Sequence, residues 1–177
     1  MPPIRLDEID AKILNQLQSN ARVPNVELAK CVGLSPAPCL RRVRALEDAG
    51  VIRGYVTLLD PSAVDLGVTI FVQVWLSAQA AEPMDIFEEA IVKRPEVMDC
   101  YLMTGEPDYL LRVVVPDVAS YERFLKESLT RIASVSSIRS TFTLKQVKSS
   151  TALPLASDGV RAVHKTPEKG PSRLSRR

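Results

Sequence analysis

The stretch Val32-Gly33-Leu34-Ser35-Pro36-Ala37-Pro38-Cys39-Leu40-Arg41-Arg42-Val43-Arg44 decides how this chain is read. Gly33 can adopt a positive φ and so closes the helix before it. Leu34 plugs the corner. Ser35 then caps a new helix, with Pro36 at the first helical position, where a missing N–H leaves no bond unmade. At about 100° per residue, Cys39, Val43 and Leu46 share one narrow sector, which marks the core face. Ala37, Arg41 and Arg44 fall on the opposite face, and Arg42 lies on the flank. The helix is expected to reach about Ala49 and to stop at Gly50.

Working outward toward the N-terminus, Asn25 is a good cap for a short helix ending near Val32, with Leu28, Ala29 and Val32 inward. Ala21-Arg22-Val23-Pro24 separates it from a helix over Leu6 to Ser19. There Ile9, Ile13 and Leu17 recur every fourth residue, and Asp7 with Asp10 resembles a capping pair. Two helices around a tight glycine turn, braced by a third, make either a helix-turn-helix over about residues 25–44 or a plain three-helix bundle. The wheel of the third helix favours the former, because a recognition helix needs small or donor-bearing side chains near its start, pointing away from the bundle. Arginine can fork onto guanine O6 and N7 or grip phosphate. The candidate DNA contacts are Asn25, Ser35, Ala37, Pro38, Arg41, Arg42, Arg44 and, past the helix, Arg53. Arg42, on the flank, suits a backbone phosphate, so its loss is expected to lower the salt slope of binding by about one unit.

Toward the C-terminus, residues 51–60 are β-prone and follow a glycine, which predicts a wing-like strand and linker. The period then changes to two. Val68, Ile70, Val72, Val74 and Leu76 alternate with Thr69, Phe71, Gln73, Trp75 and Ser77. A helix over Pro83 to Lys93, strands over Val97 to Thr104 and Tyr109 to Val115, a helix capped by Asp117 with a stripe reaching Ile132, and a last strand over Val135 to Lys148 complete the order βαββαβ. That is the ferredoxin-like plan, and the fold class is α+β. The domains are therefore residues 6–67 and 68–155, followed by a basic tail over 156–177 expected to be disordered. A single four-stranded sheet leaves edges and a face uncovered, so a dimer or larger assembly is expected.

Composition narrows the function. The chain has 177 residues, long enough for one large or two small domains, and its 23 Lys and Arg against 21 Asp and Glu exclude a basic coat over the whole surface. The charge is local: residues 1–65 carry eight of each sign, 66–150 carry nine against eleven, and 151–177 carry six against two. A neutral domain can still grip phosphates through a cluster such as Arg41, Arg42 and Arg44. The single histidine, His164, lies in the tail, which leaves no plausible base for Ser-His or Cys-His catalysis and no His-based metal site. Three cysteines without Cys-x-x-Cys spacing argue against a disulfide framework, and Cys31, Cys39 and Cys100 are read as small buried residues. No apolar run suits a membrane span and the first residues do not form a signal peptide, so a cytoplasmic protein is expected, without catalytic or metal site.

Several ordered motifs now carry a resemblance. Leu6-Asp7-Glu8-Ile9-Asp10, Asn25-Val26-Glu27-Leu28-Ala29, Val32-Gly33-Leu34-Ser35-Pro36, Cys39-Leu40-Arg41-Arg42-Val43 and Gly50-Val51-Ile52-Arg53-Gly54-Tyr55 are followed by Gly105-Glu106-Pro107-Asp108-Tyr109-Leu110-Leu111 and Leu144-Lys145-Gln146-Val147-Lys148. Over about residues 6–155 the chain resembles the Lrp/AsnC (leucine-responsive/asparagine-responsive, feast/famine) transcriptional regulators. The resemblance implies a winged helix-turn-helix joined to a ferredoxin-like effector-binding domain. It further implies homodimers paired through the C-terminal sheets that assemble to tetramers or octamers, double-stranded DNA as partner, a nucleoid-associated cytoplasmic location, and an amino acid rather than a cofactor as effector. Carried over, the effector contacts are Met103, Thr104, Gly105 and Asp108, with Thr141 and Thr143 across the sheet. The turn has a chemical logic of its own: Asp108 offers an anion to an ammonium, and amides around Gly105 offer donors to a carboxylate. It is equally an ordinary hairpin turn. Two departures from the family pattern stand out: Pro107 removes one amide donor, and Ala37 replaces a commonly hydrogen-bonding threonine. An enzyme on the same scaffold, or a ligand-binding module without DNA, are the competing readings; the missing histidines speak against the first and the arginine cluster against the second.

Overall fold

The computed structural model describes residues 6–155. They form two compact units, one of residues 6–57 with 148–155 and one of residues 58–147.

The first unit holds α1 (Glu8–Ser19), α2 (Asn25–Val32) and α3 (Pro36–Asp48). Their apolar faces close on Leu6, Ile13, Leu14, Leu28, Ala29, Val32, Cys39, Val43 and Leu46, all buried. Gly33 takes φ 72°, ψ 33° as the cap of α2 and turns the chain into α3, as its position predicts. The chain returns to this unit after the second. Gln18 at the end of α1 receives the Leu153 N–H on Oε1 at 2.6 Å and donates from Nε2 to the Leu153 carbonyl at 3.1 Å. Leu155 packs against the helical core.

The second unit holds β1 (Val68–Leu76), α4 (Ala81–Ile91), β2 (Val97–Leu102), β3 (Tyr109–Val115), α5 (Val118–Glu127) and β4 (Val135–Phe142). The sheet is antiparallel in the order β2-β3-β1-β4, the ferredoxin-like arrangement. Ile70, Val72, Val74, Leu111, Val113 and Val115 face the helices and pack on Phe87, Ile91, Tyr121, Phe124 and Leu129. The other face of β1, with Phe71, Gln73 and Trp75, lies beside Thr141, Arg139 and Ser137 of β4. On this face Phe71 is exposed, and Gln73 and Trp75 are half-buried.

Several boundaries differ from the sequence reading, each for a local reason. Asn25 is the first residue of α2, with Pro24 in the cap position. Residues 51–60 run without strand pairing, since the helical unit offers no second strand to form a ladder. The α5 helix stops at Glu127, where the Thr130 hydroxyl donates to the carbonyls of Leu125 and Lys126 and so satisfies the last turn. The β4 strand stops at Phe142 because its partner β1 is used up: Thr143 N–H bonds to Thr69 O, and β1 begins at Val68. Cys39 is buried as read, whereas Cys31 and Cys100 are exposed, the latter because β2 is an edge strand. The tail over 156–177 lies outside the described residues.

Candidate nucleic-acid interface and ligand-binding turn

Ser35 occupies the cap of α3, but its hydroxyl makes no capping bond, and the first turn carries no acid. The α2 helix likewise starts without a side-chain cap. Asn25 Nδ2 donates to the Pro36 carbonyl at 2.8 Å, which holds the two helix starts together. Amides at uncapped helix starts point toward an anion, and the aligned peptide dipoles favour negative charge there. Along α3, Ala37, Arg41 and Arg44 are exposed on one face, with Pro38 half-buried beside them, while Cys39, Val43 and Leu46 are sealed on the other. Neither Arg41 nor Arg44 forms an ion pair among the described residues. The acids of α3 itself, Glu47 and Asp48, stand at its far end, where the Tyr55 hydroxyl donates to Glu47 at 2.8 Å and fastens the exit of the unit to α3. Burial and the Glu47 carboxylate push the Tyr55 hydroxyl up to about 12. Arg53 is exposed past the helix.

Arg42, which its place on the flank offers as a phosphate contact, is paired within the helical unit. Its Nη1 donates to Asp7 Oδ2 at 2.7 Å and to Asp10 Oδ1 at 2.8 Å. The same two acids cap α1 reciprocally, Asp10 N–H on Asp7 Oδ1 at 2.8 Å and Asp7 N–H on Asp10 Oδ2 at 3.1 Å. Partial burial raises the Asp7 carboxyl, but the Asp10 amide and the Arg42 guanidinium outweigh it and hold the group below the ordinary value. Both acids hold the Arg42 guanidinium above its own. The acid cluster and the arginine cluster were each visible in the sequence; their meeting was not.

In the second unit Gly105 takes φ 92° in the turn between β2 and β3. The Met103 N–H bonds to the Asp108 carbonyl at 2.8 Å. Met103, Thr104 and Gly105 are exposed and Asp108 is buried. Each Asp108 oxygen is engaged: Oδ2 accepts from Leu76 N–H at 2.7 Å and Oδ1 from Gln79 Nε2 at 2.6 Å. Asp108 therefore pins the turn to the end of β1. Thr141 and Thr143 do not join it. Thr141 pairs with Phe71 and Thr143 N–H bonds to Thr69, at the start of the same strand. Five to seven strand residues at about 3.3 Å each put the two groups roughly 16–23 Å apart within one chain. The residues at the turn's own end of the sheet are ones that sequence reasoning missed: Gln79, Ser134 and Ser136. The Ser136 hydroxyl donates to the carbonyls of Trp75 and Leu76. Among the described residues the buried Ser134 hydroxyl has no partner, and neither has that of Thr143. Nearby, a shallow pocket is lined by Trp75, Ser136, Ser137, Ile138 and Arg139, whose guanidinium stacks 5.6 Å from the Trp75 ring centre.

A helical unit presenting arginines and uncapped amides on one helix, joined to an α+β unit with a polar turn at the sheet end, fits the class of DNA-binding proteins that carry a separate ligand-binding domain. Comparison with known proteins carries this to a family. Residues 6–53 match the winged helix-turn-helix DNA-binding family, and residues 69–153 match the Lrp/AsnC ligand binding domain. The leucine-responsive regulatory proteins of Escherichia coli K12 and Klebsiella pneumoniae are 44% identical to this chain over 148 residues, covering 84% of it and 90% of each of them. Among solved structures, a transcriptional regulator from Neisseria meningitidis in complex with L-Met superposes with TM-score 0.81 at 43% identity, covering 84% of this chain and 96% of that one. An AsnC family transcriptional regulator from Agrobacterium tumefaciens gives 0.80 at 43% identity, with 84% and 97% covered. The chain belongs to the Lrp/AsnC family: it is a DNA-binding transcriptional regulator with a winged helix-turn-helix and a ligand-binding domain.

Proposed function

We propose that α3 enters the major groove of a two-fold operator, with Ala37 and Arg41 at base edges, Arg44 further along the groove, and Ser35 and the helix-start amides on phosphate. The observation that carries this is the sorting of α3 into a sealed face of Cys39, Val43 and Leu46 and an exposed face of Ala37, Arg41 and Arg44. Ala37 has no hydrogen-bonding atom and suits a thymine methyl. Pro38, half-buried, lends shape rather than contact, and Arg53 adds a phosphate contact. Arg41→Ala is expected to weaken binding to an operator in the protein's own upstream DNA by about 1–3 kcal/mol, read by fluorescence anisotropy. Unchanged affinity would remove Arg41 from the interface.

The effector in this reading is an amino acid, as the L-Met in the Neisseria relative suggests. Asp108 keeps acceptor capacity beyond the two bonds it makes, and the amides near Gly105 can receive a carboxylate. Because Thr141 and Thr143 stand at the opposite end of β1, a site using both groups takes the Met103–Asp108 turn from one copy and the β4 end from another. Ligand occupancy then tunes assembly, and through it the spacing of DNA-binding units, in a protein acting on cytoplasmic DNA. A thermal-shift screen against the twenty amino acids tests this: an effector present at about 100 Kd raises stability by roughly 2.7 kcal/mol. A flat response to all twenty would overturn the choice of effector class.

A further inference from the structure

The bond pattern around Arg42 points to a role that no contact with DNA would supply. Asp7 and Asp10 are fixed by the capping box of α1, so the two oxygens that Arg42 Nη1 meets, at 2.7 and 2.8 Å, form a preset acceptor pair. The Asp10 side chain is only 12% exposed, which strengthens the bond by excluding water. One guanidinium against two carboxylates leaves the cluster net negative, and such a cluster repels phosphate. Its partners are 35 and 32 residues away in the chain and on a different helix, so the bond fixes α3 against α1. The apolar contacts of Cys39, Val43 and Leu46 select which face of α3 is buried, and a hydrogen bond adds a directional restraint that burial alone lacks. A hydrogen-bonded clamp one residue from Arg41 restrains the rotation of α3 about its axis, since neighbouring side chains on a helix are a fixed 100° or so apart.

We propose that Arg42 is a positioning residue for DNA recognition: its clamp on the N-cap of α1 fixes the angle at which α3 presents Ala37, Arg41 and Arg44, and it makes no phosphate contact. The inference rests on α3 being the DNA-reading helix and adds what aims it. A rotation error spoils base readout and spares the sequence-independent grip on phosphates, so the clamp acts on discrimination between sequences and leaves the salt dependence alone.

The test uses the full chain and a duplex recovered by selection from random DNA with the wild-type protein. Affinities for this duplex and a scrambled one are measured by anisotropy across a potassium chloride series, for wild type, Arg42→Gln, Arg42→Lys and Asp10→Asn, with a melting curve for each. We expect Arg42→Gln and Asp10→Asn each to lower affinity for the selected duplex about tenfold, with the scrambled duplex and the salt slope unchanged. Arg42→Lys, which keeps the charge but ends one bond short of the place where Nη1 meets both acids, should lose part of the discrimination as well. It also decides the question if Arg42→Gln does not fold. A slope reduced by about 0.9 on both duplexes in Arg42→Gln, tighter binding by Asp10→Asn and wild-type behaviour in Arg42→Lys would make Arg42 a phosphate contact and overturn the proposal. Lower melting temperatures with wild-type discrimination would overturn it too, leaving the clamp purely structural. Failure of the wild-type protein to select any duplex would overturn DNA reading by α3 along with it, which separates the two failures.

Discussion

Arg41 and Arg42 are neighbours in sequence with opposite assignments, and the difference comes from what lies across from each side chain. Arg41 meets solvent on the exposed face of α3, whereas Arg42 meets two carboxylates of α1. The wheel of α3 was legible because it depends only on spacing within one helix. The ion pair was not, because it joins residues more than thirty apart whose meeting is set by helix packing. Asp108 shows the same limit. Its place in the turn beside a glycine was legible, but its burial and its bonds to Leu76 and Gln79 were not, because they depend on β1 ending beside it. Asp108→Asn puts an amide where one of two donors now points, so a donor faces a donor. We expect the sheet unit to lose about 1–3 kcal/mol, measured by denaturant unfolding; unchanged stability would show that the carboxylate is not needed to pin the turn.

At the scale of elements, punctuation decided what could be read. Gly33 and Ser35-Pro36 fixed the turn between α2 and α3 because each acts through its own backbone. Gly33→Ala would meet no atom within 4 Å, so its effect is conformational alone. A loss of about 1 kcal/mol is expected from the positive φ, read as a lower melting temperature of the helical unit. The start of α1 carries a pH signature. Asp7 titrates below its ordinary value in the folded chain, so its contribution is complete above the unfolded value of 3.8 and fades as pH falls through the folded one. Wild-type protein should therefore lose helical-unit stability on acidification below about pH 4 more steeply than Asp7→Asn, as followed by circular dichroism. Strand ends were harder to place. The β-prone residues 51–60 and those after Phe142 have strand-like composition, yet a ladder needs a partner, and composition does not report one. The same missing register hid the separation of Thr141 from the Gly105 turn.

For the whole molecule, the face of the sheet turned away from its helices sets the expected assembly. Phe71, Gln73, Trp75 and Arg139 stand on it, with Arg112 bonded to Asp99 alongside. A mixed aromatic and charged surface of this kind suits pairing with a second copy, and a stable pair covers about 800 Å² per partner. Phe71→Glu, placing a charge within that contact, should shift the protein toward monomer in light scattering at micromolar concentration without unfolding the sheet, since the residue faces away from the helices. An unchanged mass would place the contact elsewhere. The order of the units has a further consequence, for how the chain is made. Leu153 and Leu155 complete a domain that begins at Leu6, so the first part to leave the ribosome is the last to be finished. Until those late residues emerge, Gln18 at the end of α1 lacks both of its bonds to Leu153, and the helical core lacks its contact with Leu155.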